Sequence, residues 1–188
     1  MPATNRETKM VRNLCAYIQA NLEGPVTLAA LGAHARMSPH HLQRTFKRLV
    51  GITPREYADA LRLDQFKSGL KEGQAVTTAL YDAGYGSSSR LYERAPSQLG
   101  MTPSTYRRGG VGLRIGYTVA DCSLGRVLVA GTGRGLCAVY LGDSDARLEK
   151  ALAEEYPRAE LRRDRNGLTE WVRALVSHLA GEERRLNL

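Results

Sequence analysis

Ser38-Pro-His-His-Leu-Gln-Arg-Thr-Phe-Lys-Arg-Leu-Val-Gly-Ile-Thr-Pro-Arg-Glu-Tyr57 decides the fold, because its frame returns 49 positions further along the chain. Ser38 corresponds to Ser87, Leu42 to Leu91, and Gly51-Ile-Thr-Pro-x-x-Tyr57 to Gly100-Met-Thr-Pro-x-x-Tyr106 without a gap. Two copies are too few for a solenoid, so the repeat defines a duplicated supersecondary unit inside one small domain.

Each copy reads as a pair of helices joined by a turn. In the first, Ser38 is a good N-cap and Pro39 suits the first helical position, so a helix runs from there to about Val50. Leu42, Phe46 and Leu49 form its buried stripe. Pro39, His40, Gln43, Arg44 and Lys47 are left on the opposite side. Ahead of it, Thr27 caps a short helix from Leu28 to about Arg36. Before that, Val11, Leu14, Cys15, Ile18 and Leu22 mark an amphipathic helix ending near Gly24-Pro25. The natural reading is a helix-turn-helix. A polar face on a helix is ordinarily a solvated surface. This one is cationic without acidic partners and mixes Gln, His and Arg, the side chains that read base edges.

Gly51 ends that helix and Thr53-Pro54 opens the next, which continues to about Leu70. At about 1.5 Å per residue it is a spacer of roughly 25 Å. Two reading helices entering successive major grooves on one DNA face sit about 34 Å apart, a distance such a spacer can set. The second copy runs from Ala75 to Ala83, turns at Gly84-Tyr-Gly86 and restarts at Ser87. Its positions Ser88, Ser89, Tyr92, Glu93 and Pro96 correspond to Pro39, His40, Gln43, Arg44 and Lys47. Glu93 either reads a cytosine amino group or repels phosphate, and Arg90 and Arg94 on a neighbouring face can supply phosphate contacts. Ala95 stands where the first copy has Phe46. Pro96 falls mid-helix at a cost of roughly 3 kcal/mol, so the second helix is expected to be shorter or bent.

Charge follows the repeat. Residues 1–110 carry 15 Lys/Arg against 8 Asp/Glu, and residues 111–188 carry 12 against 11. The excess points to a polyanionic partner. Nothing at the N-terminus reads as a signal peptide and no apolar run approaches the ~20 residues of a membrane span, so a cytoplasmic protein with no membrane partner is expected. Cys15, Cys122 and Cys137 are odd in number and far apart, which argues against a disulfide framework or a cysteine-rich zinc site. His40 and His41 are adjacent on a helix, about 100° apart, and lack metal-ligand spacing. No metal and no cofactor are expected.

After Arg107-Arg-Gly-Gly110 the pattern changes, and the expected domains are 8–110 and 111–188. Ile115–Ala120, Arg126–Ala130 and Leu136–Leu141 read as strands. Gly131-Thr-Gly-Arg-Gly135 lies between two of them with no following helix, which favours a hairpin turn over a phosphate loop. Asp143-Ser-Asp145 opens a helix with Leu148, Ala151, Leu152 and Tyr156 on one face. Ala159 to Arg163 is a fourth strand. Leu168, Trp171, Val172, Leu175, Val176 and Leu179 form a final helix with Trp171 as core anchor. The fold class is α+β.

With Ala83-Gly-Tyr-Gly-Ser-Ser-Ser before the second helix and Gly100-Met-Thr-Pro-Ser-Thr-Tyr-Arg107 after it, residues 8–110 resemble the DNA-binding domain of AraC/XylS-type regulators. The resemblance implies two helix-turn-helix units joined by a linker helix, binding double-stranded DNA specifically and activating transcription together with RNA polymerase. It places Pro39, His40, Gln43, Arg44 and Ser88, Ser89, Tyr92, Glu93 at the bases. The βββαβα order that follows, with Tyr117-Thr-Val-Ala-Asp-Cys-Ser-Leu-Gly-Arg126 and Leu136-Cys-Ala-Val-Tyr-Leu-Gly-Asp143, resembles the ribonuclease-H-like N-terminal part of the O6-alkylguanine-DNA alkyltransferase half of Ada-type regulators. That family takes the alkyl group on a Pro-Cys-His-Arg cysteine, and these 188 residues contain no such motif. Its zinc-bound cysteine cluster is missing as well. The expectation is therefore an Ada-like regulator that is not itself an enzyme, with an incomplete ribonuclease-H-like α/β domain. The alternative is a truncated or split O6-methylguanine-DNA methyltransferase, whose acceptor domain a separate chain would supply.

Overall fold

The computed structural model describes residues 5–24, 26–85, 99–164 and 167–181, and the chain divides into two compact units, residues 1–88 and 89–188.

In the first unit, α1 spans Asn5–Ala20, α2 Leu28–Ala35, α3 Pro39–Val50, α4 Pro54–Lys71 and α5 Val76–Asp82. Their shared core joins Val11, Leu14 and Ile18 of α1 to Leu31, Leu42, Phe46 and Ala58. These are the positions the 3.6-residue spacing selects, since residues three and four apart share one helix face. The caps are those the sequence announces. Thr27 accepts from the Ala30 amide and Ser38 from the His41 amide. Thr53 and Glu56 form a reciprocal capping box, with Pro54 at the first helical position.

The first helix is shorter than its apolar stripe implies. It stops at Ala20, and Asn21 to Gly24 form a turn rather than a further helical turn carrying Leu22. The cause lies 40 residues away. Arg62 on α4 donates from Nε and Nη2 to the Leu22 carbonyl and from Nη2 to that of Gly24, and these carbonyls are thereby turned out of a helical ladder.

The α5 helix packs on α4, where an added Cβ at Gly69 would stand 3.1 Å from Ala79. Beyond α5, Gly84 has φ +78°, and any side chain there would run into the Leu22 carbonyl oxygen. Tyr85 lies edge-on to Phe66 with ring centroids 6.3 Å apart. Burial, aided by the nearby Asp59 charge, pushes its hydroxyl pKa up to about 12. The expected second reading helix, with Ser88, Ser89, Arg90, Tyr92, Glu93 and Arg94, lies outside the described residues.

The second unit is built on a four-stranded sheet in the order β3-β2-β1-β4, from β1 Arg114–Cys122, β2 Gly125–Thr132, β3 Gly135–Gly142 and β4 Glu160–Arg163. The first three strands form an antiparallel meander, and β4 pairs with β1 in parallel. The glycine-rich stretch 131–135 is the turn of the β2–β3 hairpin, with an irregularity at Ala130/Gly131. Helix α6, Pro103–Arg107, precedes the sheet; α7, Asp145–Glu155, connects β3 to β4; and α8, Thr169–Leu179, follows.

All of Val127 to Ala130 is fully buried, because both faces of β2 are covered. On one face Val127 and Val129 meet Leu175, with Trp171, Val172 and Val176 packed around them. The other face carries α7, which packs on β2 and β3. Trp171 is half-buried rather than enclosed. Its ring lies over Gly131, where a Cβ would come within 2.9 Å of it. The α+β class is thus observed, with a helical unit followed by a small sheet flanked by helices.

Candidate nucleic-acid interface

The α3 helix is anchored from one side only. Leu42, Thr45 and Phe46 are buried, and the half-buried Leu49 packs against the same core. The Phe46 ring stands edge-on to Tyr57 of α4, with centroids 5.8 Å apart and planes at 65°. Sequence spacing selects Leu42, Phe46 and Leu49 but not Thr45, which shares their face.

At the N-terminus the turn from α2 is tight. Arg36 adopts the left-handed conformation, φ 52°, with its amide on the Ala33 and Gly32 carbonyls, and Met37 N donates to Gly32 O at 2.9 Å. The turn closes over Gly32, where a Cβ would lie 2.8 Å from the Met37 carbonyl oxygen. Ser38 then starts α3. Gly51, φ 90°, ends it by donating to the Lys47 carbonyl.

This anchoring leaves Pro39, His40, Arg44 and Lys47 exposed and Gln43 half-buried, on the side away from the core. Among the described residues, none forms a hydrogen bond or ion pair with the side chains of His40, Gln43 or Arg44. Lys47 adds a favourable charge near Glu56. That carboxyl is held below its ordinary value of 4.5, chiefly by the Thr53 backbone amide and then by the Thr53 hydroxyl. Arg48, next in sequence, points elsewhere and pairs with Glu7 at 2.5 Å.

Two arginines carry roles that sequence spacing does not assign. Arg62 clamps the α1–α2 turn and is a scaffold cation. Arg36 is exposed and shapes the turn before α3; a helix ending directly ahead of a Ser-Pro start was the available signal.

The sheet unit handles charge differently. Arg126 meets Asp145 through Nε and Nη2, at 2.7 and 3.1 Å, and Asp121 through Nη1 at 2.5 Å. Arg163 reaches the same Asp145 at 3.0 Å, and Arg114 and Arg162 both pair with Glu160. Hydrogen bonds from Arg126 hold the Asp145 carboxyl below the usual carboxylate range. These four cations are spent on ion pairs within the chain, whereas Arg44 and Lys47 of α3 are exposed on the side away from the core.

Cys137 is buried, and Cys15 and Cys122 are half-buried. Burial pushes the Cys15 thiol up from 9.0, against a lowering contribution from its hydrogen bond with Tyr57. No group of three His, Cys, Asp or Glu side chains suited to hold a metal occurs among the described residues. No helix among them is long and apolar enough to cross a membrane.

Comparison with known proteins recognises two regions along the chain, the first of which runs across the boundary between the two compact units. Residues 31–109 match the family model of a helix-turn-helix domain, and residues 115–188 match that of the 6-O-methylguanine DNA methyltransferase ribonuclease-like domain. This order of domains matches the Ada-type architecture. The bifunctional transcriptional activator/DNA repair enzyme Ada of Escherichia coli is 45% identical over 138 residues, 73% of this chain and 39% of that protein. The regulatory protein ada of Salmonella typhimurium is 38% identical over 157 residues, 84% of this chain and 44% of that one. The chain thus spans less than half the length of these Ada relatives. For the fold alone, the C-terminal domain of AraT, a response regulator from Geobacillus stearothermophilus, superposes with a TM-score of 0.50 at 23% identity, covering 53% of this chain and 84% of that one.

Proposed function

We propose that this chain is a sequence-specific double-stranded DNA-binding regulator of transcription that docks in the major groove through α3. The observation that carries the reading is the outward face of α3. It is cationic, capped at both ends, backed by a buried core and, among the described residues, without an acidic partner on its base-reading positions, in a chain whose sheet unit pairs Arg114, Arg126, Arg162 and Arg163 with carboxylates. His40, Gln43 and Arg44 read base edges, Pro39 sets the approach at the helix start and Lys47 contacts phosphate. Ser88, Ser89, Tyr92 and Glu93 are the corresponding base-facing set of the second unit, flanked by Arg90 and Arg94 at phosphates.

As a regulator of this type it works beside RNA polymerase in the cytoplasm, with a DNA-binding region at 8–110 and a ribonuclease-H-like domain at 111–188. A salt series on a duplex selected from a random pool tests the reading. Phosphate contacts require log affinity to fall steeply with log salt, by about 0.9 per contact. An affinity flat between about 50 and 200 mM salt overturns it.

Neither Cys137 nor Cys15 is suited to accept an alkyl group, and the sequence holds no Pro-Cys-His-Arg motif. A nucleophilic cysteine needs an accessible thiol with a lowered pKa. Cys137 is buried and the Cys15 thiol is shifted the opposite way. A separate chain bearing the acceptor would complete the alkyl-transfer chemistry. Incubation with a duplex carrying labelled O6-methylguanine is expected to leave this chain unlabelled, and label on any of its three cysteines would reverse the assignment.

A further inference from the structure

On the α8 face of the sheet, one row of the register lacks side chains at its centre. Gly131 of β2 stands opposite Gly116 of β1, and Gly116 stands opposite Arg162 of β4, so the three share a face. Trp171 is the reason for Gly131, since a Cβ there would meet its ring. No such reason holds for Gly116. Its backbone is not left-handed, and the nearest described atom to an added Cβ is Asp164 Cβ at 3.4 Å, an ordinary contact. A glycine inside a strand weakens it and marks a place where a ligand approaches the backbone closely.

Over this floor lies a cleft of about 620 Å³ whose two sides differ in chemistry. Above β2 it is bordered by the half-buried indole of Trp171. Towards β4 it is bordered by Arg114 and Arg162, whose side chains are 65% and 59% exposed. Each engages Glu160 through Nε, at 3.3 and 2.6 Å. Two guanidiniums thus share one carboxylate, which leaves a net positive charge, and among the described residues their Nη donors have no hydrogen-bond partner. Arg163 also borders the cleft but is committed to Asp145 and Glu149. Asp164 lies by the floor with Oδ1 accepting from the Gly167 amide at 2.9 Å, and a carboxylate has capacity for further donors.

An aromatic wall, a floor without side chains and a pair of guanidiniums suit a flat ring that carries an anionic group. We propose that this cleft binds a nucleoside monophosphate unit. The base stacks on Trp171 over Gly116, the phosphate meets the Nη donors of Arg114 and Arg162, and Asp164 accepts from an N–H of the base. The unit is a free nucleotide or one residue of a single-stranded nucleic acid. The assignment is independent of the duplex reading of α3.

Trp171 is the one tryptophan in the sequence, so the intrinsic fluorescence of the full chain reads this cleft. Thymidine monophosphate, thymidine, inorganic phosphate and a single strand of about ten thymidylates are titrated in turn. Quenching by the monophosphate at millimolar concentration or below supports the free-nucleotide source, and quenching by the strand alone supports the strand source. The Arg114→Gln/Arg162→Gln double variant removes exposed ion pairs of little worth to stability, and should keep the wild-type unfolding curve while binding about tenfold or more weakly. Gly116→Ala places a methyl group on the floor and should weaken binding several-fold. Lys150→Gln, an exposed cation on α7, should bind as wild type does. An indole signal that no probe moves overturns the proposal. So does a response to inorganic phosphate or to thymidine equal to that of the monophosphate, or a double variant that binds like wild type.

Discussion

The Arg62 guanidinium meets the Leu22 carbonyl oxygen twice, through Nε at 3.1 Å and Nη2 at 3.0 Å. With the further bond to Gly24 and the contact to Asp59, one side chain holds the α1–α2 turn to α4. Its side chain is only 14% exposed, so solvent screens these bonds little. Arg62→Met should therefore destabilise the protein by about 2–3 kcal/mol, the scale of hydrogen bonds to a charged donor. Arg62→Lys should recover little, because an ammonium cannot span two carbonyls with a planar fork. Urea unfolding of both variants checks this.

The capping box predicts a pH dependence with a definite sign. Glu56 has its pKa lowered in the folded protein, chiefly by the Thr53 backbone hydrogen bond. It therefore contributes stability that is present above its unfolded pKa of about 4.5 and is lost as pH falls through the lower folded value. Glu56→Gln should be less stable than wild type at about pH 6, and the gap should narrow towards about pH 3. Paired unfolding curves across that range measure it.

A glycine governs the approach to α3. Gly32→Ala gains helix propensity, but its Cβ would sit 2.8 Å from the Met37 carbonyl oxygen, in backbone that has nowhere to move. A net loss of about 1–3 kcal/mol is expected, as for other overpacked sites. The larger Gly32→Val should fail to give a cooperative thermal transition.

The two reading helices should contribute unequally. Arg44→Ala, on the exposed face of α3, is expected to weaken specific DNA binding by about tenfold or more, since a good bidentate base contact is worth about 1–3 kcal/mol of discrimination. Arg90→Ala should cost less and mainly reduce the salt slope, as loss of a phosphate contact does. Titrations on one selected duplex at several salt concentrations compare them. Equal effects would show that the register relating the two copies is wrong.

Chain order, caps and core stripes are legible because they rest on local chemistry. Thr27, Ser38 and Thr53 announce three helix starts, and apolar spacing by itself picks out Leu42 and Phe46. The outward set on α3 follows from the same spacing, since the side opposite a buried stripe has one place to go. What sequence alone hides are long-range choices. The end of α1 at Ala20 depends on Arg62, 40 residues from the carbonyls it turns. The ring contact of Tyr106 with Tyr156 joins α6 to the segment just after α7, far along the chain but within the same compact unit. Trp171 reads as an enclosed anchor, yet it is half-buried because it rides over the glycine backbone of β2 at the sheet surface.

Among the described residues, the four-residue β4 is the one strand of the sheet that pairs in parallel, joining Arg114 to Glu160 across the whole meander and α7. Its neighbours β1, β2 and β3 are linked by short turns and can zip locally on a microsecond scale. β4 must wait for a large loop to close before its few bonds repay the lost chain entropy. This topology predicts that the hairpins form first and that docking of α7 with β4 comes late. Because Tyr156 lies in that late segment, the seat for Tyr106 is finished only after the ribosome has released the chain through β4, well after the helical unit is free to fold.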